Sequence, residues 1–144
     1  MIFQGKEGKD TAAEQVRKIR ETTDREIILR THPSKNTRHI SEYVKEFDNI
    51  TFSEAEVHRV SLLRDMTRVG AVVTHSSSAA CESMVMGLPT FALDKRCVVY
   101  SDVENDLTLL NDPISYFDKH TEQKRVQSYY NWAYTSWKNI EMAS

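Results

Sequence analysis

The sequence predicts an α/β fold in which a doubly wound parallel sheet of about five strands forms one domain over residues 1–144. Short apolar runs alternate with helix-like segments along the chain, which is the order expected of βα units. The runs are continuously apolar, as in strands that helices cover on both faces. The length of 144 residues also fits a single domain with a sizeable core.

Each predicted strand is an apolar run bounded by a turn signal. Ile27-Ile28-Leu29 forms a compact β-rich run that stops at His32-Pro33, and Gly70 bounds a later one. In chain order the predicted strands are Met1–Gln4, Glu26–Thr31, Ile50–Phe52, Ala71–Thr74 and Pro89–Leu93.

The predicted helices fill the intervals between these strands. Asp10 or Thr11 can cap the first helix, which runs to Thr22. Its inward residues are Ala12, Ala13, Val16 and Ile19. The second helix runs from Thr37 to Phe47, and the third has an apolar stripe of Val57, Val60, Leu63 and Met66. The fourth follows the serine loop and ends at Gly87-Leu88-Pro89, where glycine favours the left-handed cap.

Two further helices are expected after the fifth strand, a short one near Glu104–Leu110 and a long one from Thr121 to Met142. In the long helix, one stripe is expected to pack on the sheet: Val126, Tyr130, Ala133, Trp137 and Ile140. Three more aromatic residues, Tyr129, Trp132 and Tyr134, widen the apolar surface beyond one face. This surplus predicts that residues 121–142 form an interface with another domain or chain.

Composition excludes several classes of protein. A net charge of −2 argues against a general nucleic-acid binder. Cys81 and Cys97 have no metal-ligand spacing and are expected to be small buried residues in a reducing compartment. No apolar segment approaches the roughly 20 residues of a membrane span, and residues 1–10 lack a signal-peptide core, so the expected location is the cytoplasm.

Three polar loops follow the first, second and fourth predicted strands, at the edge where parallel sheets bind ligands. The first loop contains Gly5 and Gly8, the second His32 and Pro33, and the third Ser76, Ser77 and Ser78. GKEGKDT lacks the spacing of a phosphate-binding P-loop. The serines precede a helix of small residues, so their hydroxyls and the backbone N–H groups can form an anion site. The alternative is that one serine caps the helix.

Other side chains near these loops have open roles. Glu82 either favours the helix dipole or accepts hydrogen bonds from a sugar hydroxyl. His75 is either a second ligand contact or a hydrogen-bonded structural residue. Two histidines without a third ligand make a weak metal site, so none is predicted.

The order THPS, then THSSSAACE, then GLPTF resembles the nucleotide-binding half of GT-B glycosyltransferases. The similarity is to the bacterial capsule-polysaccharide and Kdo transferase group and to bacterial sialyltransferases with HP and SS motifs. It implies a Rossmann-like donor domain that binds a CMP- or UDP-sugar as substrate, without a cofactor. His32 and Pro33 would shape the nucleotide pocket, Ser76, Ser77 and Ser78 would hold the phosphate, and Glu82 would contact the ribose.

The same resemblance implies a partner. GT-B enzymes carry the acceptor site and general base on an N-terminal domain, so the chain is expected to be a fragment, an excised domain or half of a split enzyme, inactive alone. The expected partner is that domain, a separate chain, or a second copy bound through the C-terminal helix. No catalytic residue is assigned; a base in this chain would come from Asp10, Glu82, Asp94 or Asp102.

Two alternative classes remain open. A UDP-N-acetylglucosamine 2-epimerase-like protein would share the GT-B architecture and similar HP and serine-loop motifs. A flavodoxin-like binding domain would be non-enzymatic, but GKEGKD resembles neither a flavin loop nor an acidic cluster well.

Overall fold

The structure is a computed structural model that describes residues 2–5, 9–31, 45–53, 59–75 and 78–143. The described strands are β1 (Ile2–Gly5), β2 (Ile27–Thr31), β3 (Ile50–Phe52), β4 (Val72–Thr74) and β5 (Thr90–Ala92). The described α-helices are α1 (Lys9–Thr22), α2 (Arg59–Met66), α3 (Ala79–Val85), α4 (Pro113–Lys119) and α5 (Glu122–Ala143). A 3₁₀ helix covers Leu107–Asn111.

All strand pairings are parallel, and the strands lie in the order β3-β2-β1-β4-β5. β1 therefore lies between β2 and β4. Gly5 pairs with Thr31 on one side, and Gln4 pairs with Thr74 on the other. The carboxyl ends of these three strands consequently reach one edge together.

The predicted fold class, a doubly wound parallel sheet of about five strands forming a Rossmann-like half of a GT-B enzyme, is wrong. Three of the strands contain only three residues each, so their pairings are short. Between β2 and β3 the described residues contain no helix: the predicted helix from Thr37 lies mainly outside them, and residues 45–49 form turns and bends. An apolar run limits where a strand can lie but not how far its neighbours pair with it. The described chain is a small α/β arrangement of short parallel pairings.

The core beneath α1 is continuous with one face of the strands. Phe91 and Tyr116 are fully buried there, with ring centroids 5.7 Å apart. The Tyr116 hydroxyl accepts a hydrogen bond from the backbone N–H of Thr90 at 3.0 Å, which ties α4 to β5. The other buried members of this cluster are Val16, Ile19, Ile27, Leu29, Ala71, Val73 and Leu110.

The opposite face is covered by α2, α3 and part of α5. Val72 and Ala92 face this side, whereas Val73 and Phe91 face α1, as strand alternation requires. Two clusters form the packing: Met66, Val72 and Ala79 in one, and Ala80, Cys81, Met84, Ala92, Cys97, Val99 and Val103 in the other.

Three local predictions have clear outcomes. Gly87 has φ +86°, so the predicted left-handed end of the helix before it is confirmed. The predicted helix near Glu104–Leu110 is wrong at its start, because Glu104 bridges Phe91 and extends the sheet edge. Helix α4 was not predicted, although Asp112 caps it and Pro113 occupies its first turn.

The predicted orientation of the last helix is also wrong. Tyr129 and Trp132 pack against the buried cluster around Cys97, with their ring centroids 5.8 Å apart. Three of the predicted inward residues are instead exposed: Val126, Tyr130 at 66% and Trp137 at 60%. Ala133 is half-buried, and the side chain of Ile140 lies outside the described ones. Contacts of Arg125 hold α5 in the observed orientation. Its guanidinium donates to the backbone oxygens of His120 and Met84 and lies over the Phe117 ring.

Within the described part of the chain, no helix combines the length and apolar composition that a membrane crossing requires.

The two tryptophans of α5 provide a direct test of this orientation. Trp132→Ala is expected to lower the free energy of unfolding by about 2–4 kcal/mol, because it removes a large ring from the core. Trp137→Ala is the matched control and should change it by less than about 0.5 kcal/mol, since its side chain is exposed. Urea unfolding of both variants gives the measurement. Equal losses, or a larger loss for Trp137→Ala, would contradict the orientation described.

Candidate functional site

The candidate site lies at the carboxyl edge of β1 and β4. From β1 the chain proceeds to β2 and β3 on one side, and then returns to β4 and β5 on the other. The connections after β1 and β4 therefore lead to opposite sides of the sheet, which is where open parallel sheets form a ligand crevice. Gly5 ends β1 at this point, and His75 follows the paired strand β4.

His75 follows β4 directly and is buried. Its Nδ1 contacts the side-chain amide of Gln15, which reaches it from α1. On the other side of the ring, Nε2 lies 3.2 Å from Oδ2 of Asp94 and 3.1 Å from Nη2 of Arg96. Both ring nitrogens thus have protein contacts. This arrangement favours the structural role for His75, in which the ring fixes the start of the serine loop.

Asp94 belongs to the loop after β5 and connects that loop to His75. Its carboxylate accepts hydrogen bonds from Nε and the backbone N–H of Arg96, both at 2.8 Å. Its backbone N–H donates to the carbonyl of His75 at 3.1 Å. The hydrogen bonds from the side chain and backbone of Arg96 lower the pKa of Asp94 to about 2. An acid this strong is a poor general base at neutral pH, which argues against Asp94 in that role.

Ser78 stands at the N-cap position of α3. Its backbone has φ −66° and ψ −8°, already helical, and its hydroxyl makes no capping hydrogen bond among the described residues. The carbonyl of Ser78 accepts from the N–H of Cys81 at 2.9 Å. Capping of the helix therefore does not explain the presence of an exposed serine at position 78. Because α3 has seven residues, its dipole alone is a weak reason for anion binding.

Glu82 lies in the first turn of α3 and is half-buried. Its position is compatible with both expected roles, a favourable interaction with the helix dipole and the acceptance of hydrogen bonds from a sugar hydroxyl. Five predicted site residues lie outside the described residues: Gly8, His32, Pro33, Ser76 and Ser77. His32 follows Thr31, whose backbone pairs with Gly5, so the HP turn begins at the same edge as the other two loops.

The sequence interpretation missed the link between His75, Asp94 and Arg96. From the sequence, Asp94 is only a candidate base, and Arg96 has no assigned role. The sequence does contain a signal for this link: residues directly after a predicted strand reach the same edge as the other strand ends. The network adds a largely exposed guanidinium in contact with His75.

The two cysteines contribute no nucleophile. Both are free and buried, as expected from the sequence. Burial raises the pKa of Cys81 to about 12 and also raises that of Cys97. Their thiolates are therefore scarce at neutral pH, and thiolate chemistry is disfavoured.

A second polar cluster surrounds Glu104, which is buried at the edge of β5. Oε1 accepts from Nζ of Lys119 at 2.8 Å and contacts Nε2 of His120 at 3.1 Å. Oε2 accepts from the backbone N–H groups of Asn105 and Asp106 at 2.9 and 3.0 Å. Burial alone would raise the pKa of Glu104, but these hydrogen bonds outweigh it and lower the pKa to about 2.

Among the described residues, no group of three or more His, Cys, Asp or Glu side chains could hold a metal ion. Comparison with known protein families, with curated protein sequences and with solved structures finds no match to this chain.

The Glu104 cluster gives a prediction for stability against pH. The folded pKa of about 2 lies below the usual 4.5, so the carboxylate stabilises the fold above pH 4.5 and loses this effect as pH falls toward 2. Glu104→Gln is expected to cost roughly 2–3 kcal/mol of unfolding free energy at neutral pH, because it removes the charge that Lys119 and His120 contact. The difference in unfolding free energy between this variant and the wild type should narrow as the pH falls.

Urea unfolding at a series of pH values measures this effect. Asp118→Asn, a comparable acid-to-amide change at an exposed position, is the control and should track the wild type. If the loss in Glu104→Gln is the same at every pH, the ionised carboxylate is not what stabilises the cluster.

Proposed function

We propose that this chain binds the nucleotide part of a nucleotide sugar and serves as the donor domain of a glycosyltransferase in surface or capsular polysaccharide synthesis. The observation that carries the proposal is the reversal of strand order at β1 and β4, whose carboxyl ends lie side by side. The THPS and THSSS motifs begin at this same edge. A crevice with polar loops on both sides suits a phosphorylated ligand.

The chemistry of the edge supports a phosphate group in particular. Ser78 presents an exposed hydroxyl, and the largely exposed guanidinium of Arg96 brings positive charge to the same loop region. His75 and Asp94 fix the position of that guanidinium through side-chain contacts. Hydrogen bonds from hydroxyl and guanidinium groups to a phosphate are charge-assisted, so they are stronger than bonds between neutral groups.

In this proposal the protein stabilises the departing nucleotide and leaves acceptor activation to another domain. Transfer from a nucleotide sugar releases a nucleotide phosphate, whose developing charge the serine loop and Arg96 would meet. The lowered pKa of Asp94 makes it unsuitable for removing the proton of an acceptor hydroxyl. The acceptor-binding partner would contact the outer face of α5, where Tyr130, Tyr134 and Trp137 are exposed.

Isothermal titration calorimetry with CMP, UMP, UDP and FMN tests the proposal. We expect CMP, UMP or UDP to bind, and the Ser77→Ala/Ser78→Ala double variant to bind it about 1–3 kcal/mol more weakly, because hydrogen bonds to a charged group are lost. Melting temperature should change little, since the Ser78 hydroxyl makes no cap.

The matched control is Ser101→Ala/Ser128→Ala, which removes two hydroxyls from the region near α5 and should leave nucleotide affinity unchanged. Selective binding of FMN would instead support the flavodoxin-like alternative. Binding of UDP accompanied by epimerisation of UDP-N-acetylglucosamine would support the epimerase-like alternative. No binding of any of the four ligands would refute the proposal.

A further inference from the structure

A separate polar pocket lies beside the first turns of α5. It has a volume of 690 Å³, within the range of small-molecule sites. Its walls come from the loop before Glu104, from the end of α4 and from one face of α5. The residues that matter for its chemistry are Asp102, Lys119, Lys124, Gln123, Gln127 and Asn131.

This pocket is distinct from the carboxyl-edge site. Helix α3 begins after β4 at the carboxyl edge and ends before β5, so Met84 lies toward the amino edge. Arg125, at the start of α5, donates to the carbonyl of Met84 at 3.2 Å. The first turns of α5, and the pocket with them, therefore lie toward the amino end of the strands. The two sites can be tested independently.

The floor of the pocket is held by buried groups. His120 lines the pocket and is itself buried, and its Nε2 contacts Glu104. Lys119 contacts the same carboxylate, and Nζ of Lys124 donates to the carbonyl of Lys119 at 3.3 Å. These contacts hold Lys119, His120 and Lys124 in position before any ligand binds. A restrained site loses less conformational entropy when a ligand binds.

The charges of the pocket balance. Lys119, Lys124 and Asp102 line the pocket, and the buried carboxylate of Glu104, which is not part of the lining, accepts a hydrogen bond from Lys119 and offsets its charge. Apart from His120, the remaining lining residues are serines and carboxamides. Gln127 and Asn131 lie one turn apart on α5, and Nε2 of Gln127 donates to Oδ1 of Asn131 at 3.0 Å.

We propose that this pocket binds a neutral saccharide, a ligand of one or two sugar rings. Each carboxamide offers a donor and an acceptor side by side, and Asp102 adds acceptor oxygens. Adjacent sugar hydroxyls, each both donor and acceptor, match such groups in pairs. All nine lining residues carry hydrogen-bonding groups, and the offset charges disfavour an anion. The site is a second carbohydrate-binding position, independent of the nucleotide site proposed above.

Saturation-transfer NMR of the full chain with neutral methyl glycosides and disaccharides tests the proposal, with N-acetylneuraminic acid as the acidic comparison. We expect at least one neutral saccharide to bind. The Gln127→Ala/Asn131→Ala variant should weaken that binding at least tenfold, since both carboxamides are lost. Lys138→Ala is the control on the same helix, outside the pocket, and should bind as the wild type does.

A second variant, Ser128→Trp, fills the pocket while leaving the carboxamides in place and should also abolish saccharide binding. Both pocket variants should retain the nucleotide affinity of the wild type, so failure of one site does not imply failure of the other. Absence of binding by every neutral saccharide, binding of the acidic sugar alone, or saccharide binding unchanged in both pocket variants would overturn the proposal.

Discussion

The parallel pairing of β1 with both β2 and β4 is the constraint on which the candidate site depends. Because Gly5 pairs with Thr31 and Gln4 pairs with Thr74, three strand ends stop at the same level. Residues that follow these strands therefore start from one edge of the sheet. The His75 network uses this proximity: Gln15 contacts a ring that is 60 residues away in the chain.

The positions of the strands could be predicted because strands covered on both faces need continuous apolar runs. Val72–Thr74 lies inside the predicted Ala71–Thr74, and Thr90–Ala92 lies inside Pro89–Leu93. The extent and regularity of the pairing could not be predicted, because they depend on partners far away in sequence. The orientation of α5 failed for a related reason: aromatic residues surround the helix, and the contacts of Arg125 with α3 and α4 decide which ones face inward.

For the site, the sequence indicated which strand ends carry polar residues, and Gly5, His75 and Ser78 do lie at that edge. The sequence could not show that Asp94 and Arg96 would join them, because this pairing requires β5 to lie beside β4. It also could not decide between capping and ligand binding for Ser78. Capping depends on the backbone angles at the start of the helix, and Ser78, which is already in helical conformation, makes no capping hydrogen bond. Ligand binding by Ser78 stays a prediction.

The two ends of the strands differ electrostatically, and this difference connects the two proposed sites. Helices that follow parallel strands end toward the amino edge, so their unpaired carbonyls collect there. Arginines bind carbonyls near these helix ends: Arg20 donates to that of Thr23, directly after α1, and Arg125 donates to that of Met84 in α3. The arginine side chains at this end thus hydrogen-bond within the protein. The nearby pocket is polar, and its charges offset one another. At the carboxyl edge Arg96 is also paired, with Asp94, but its guanidinium remains largely exposed, which is why we propose an anionic ligand there and an uncharged one at the opposite end.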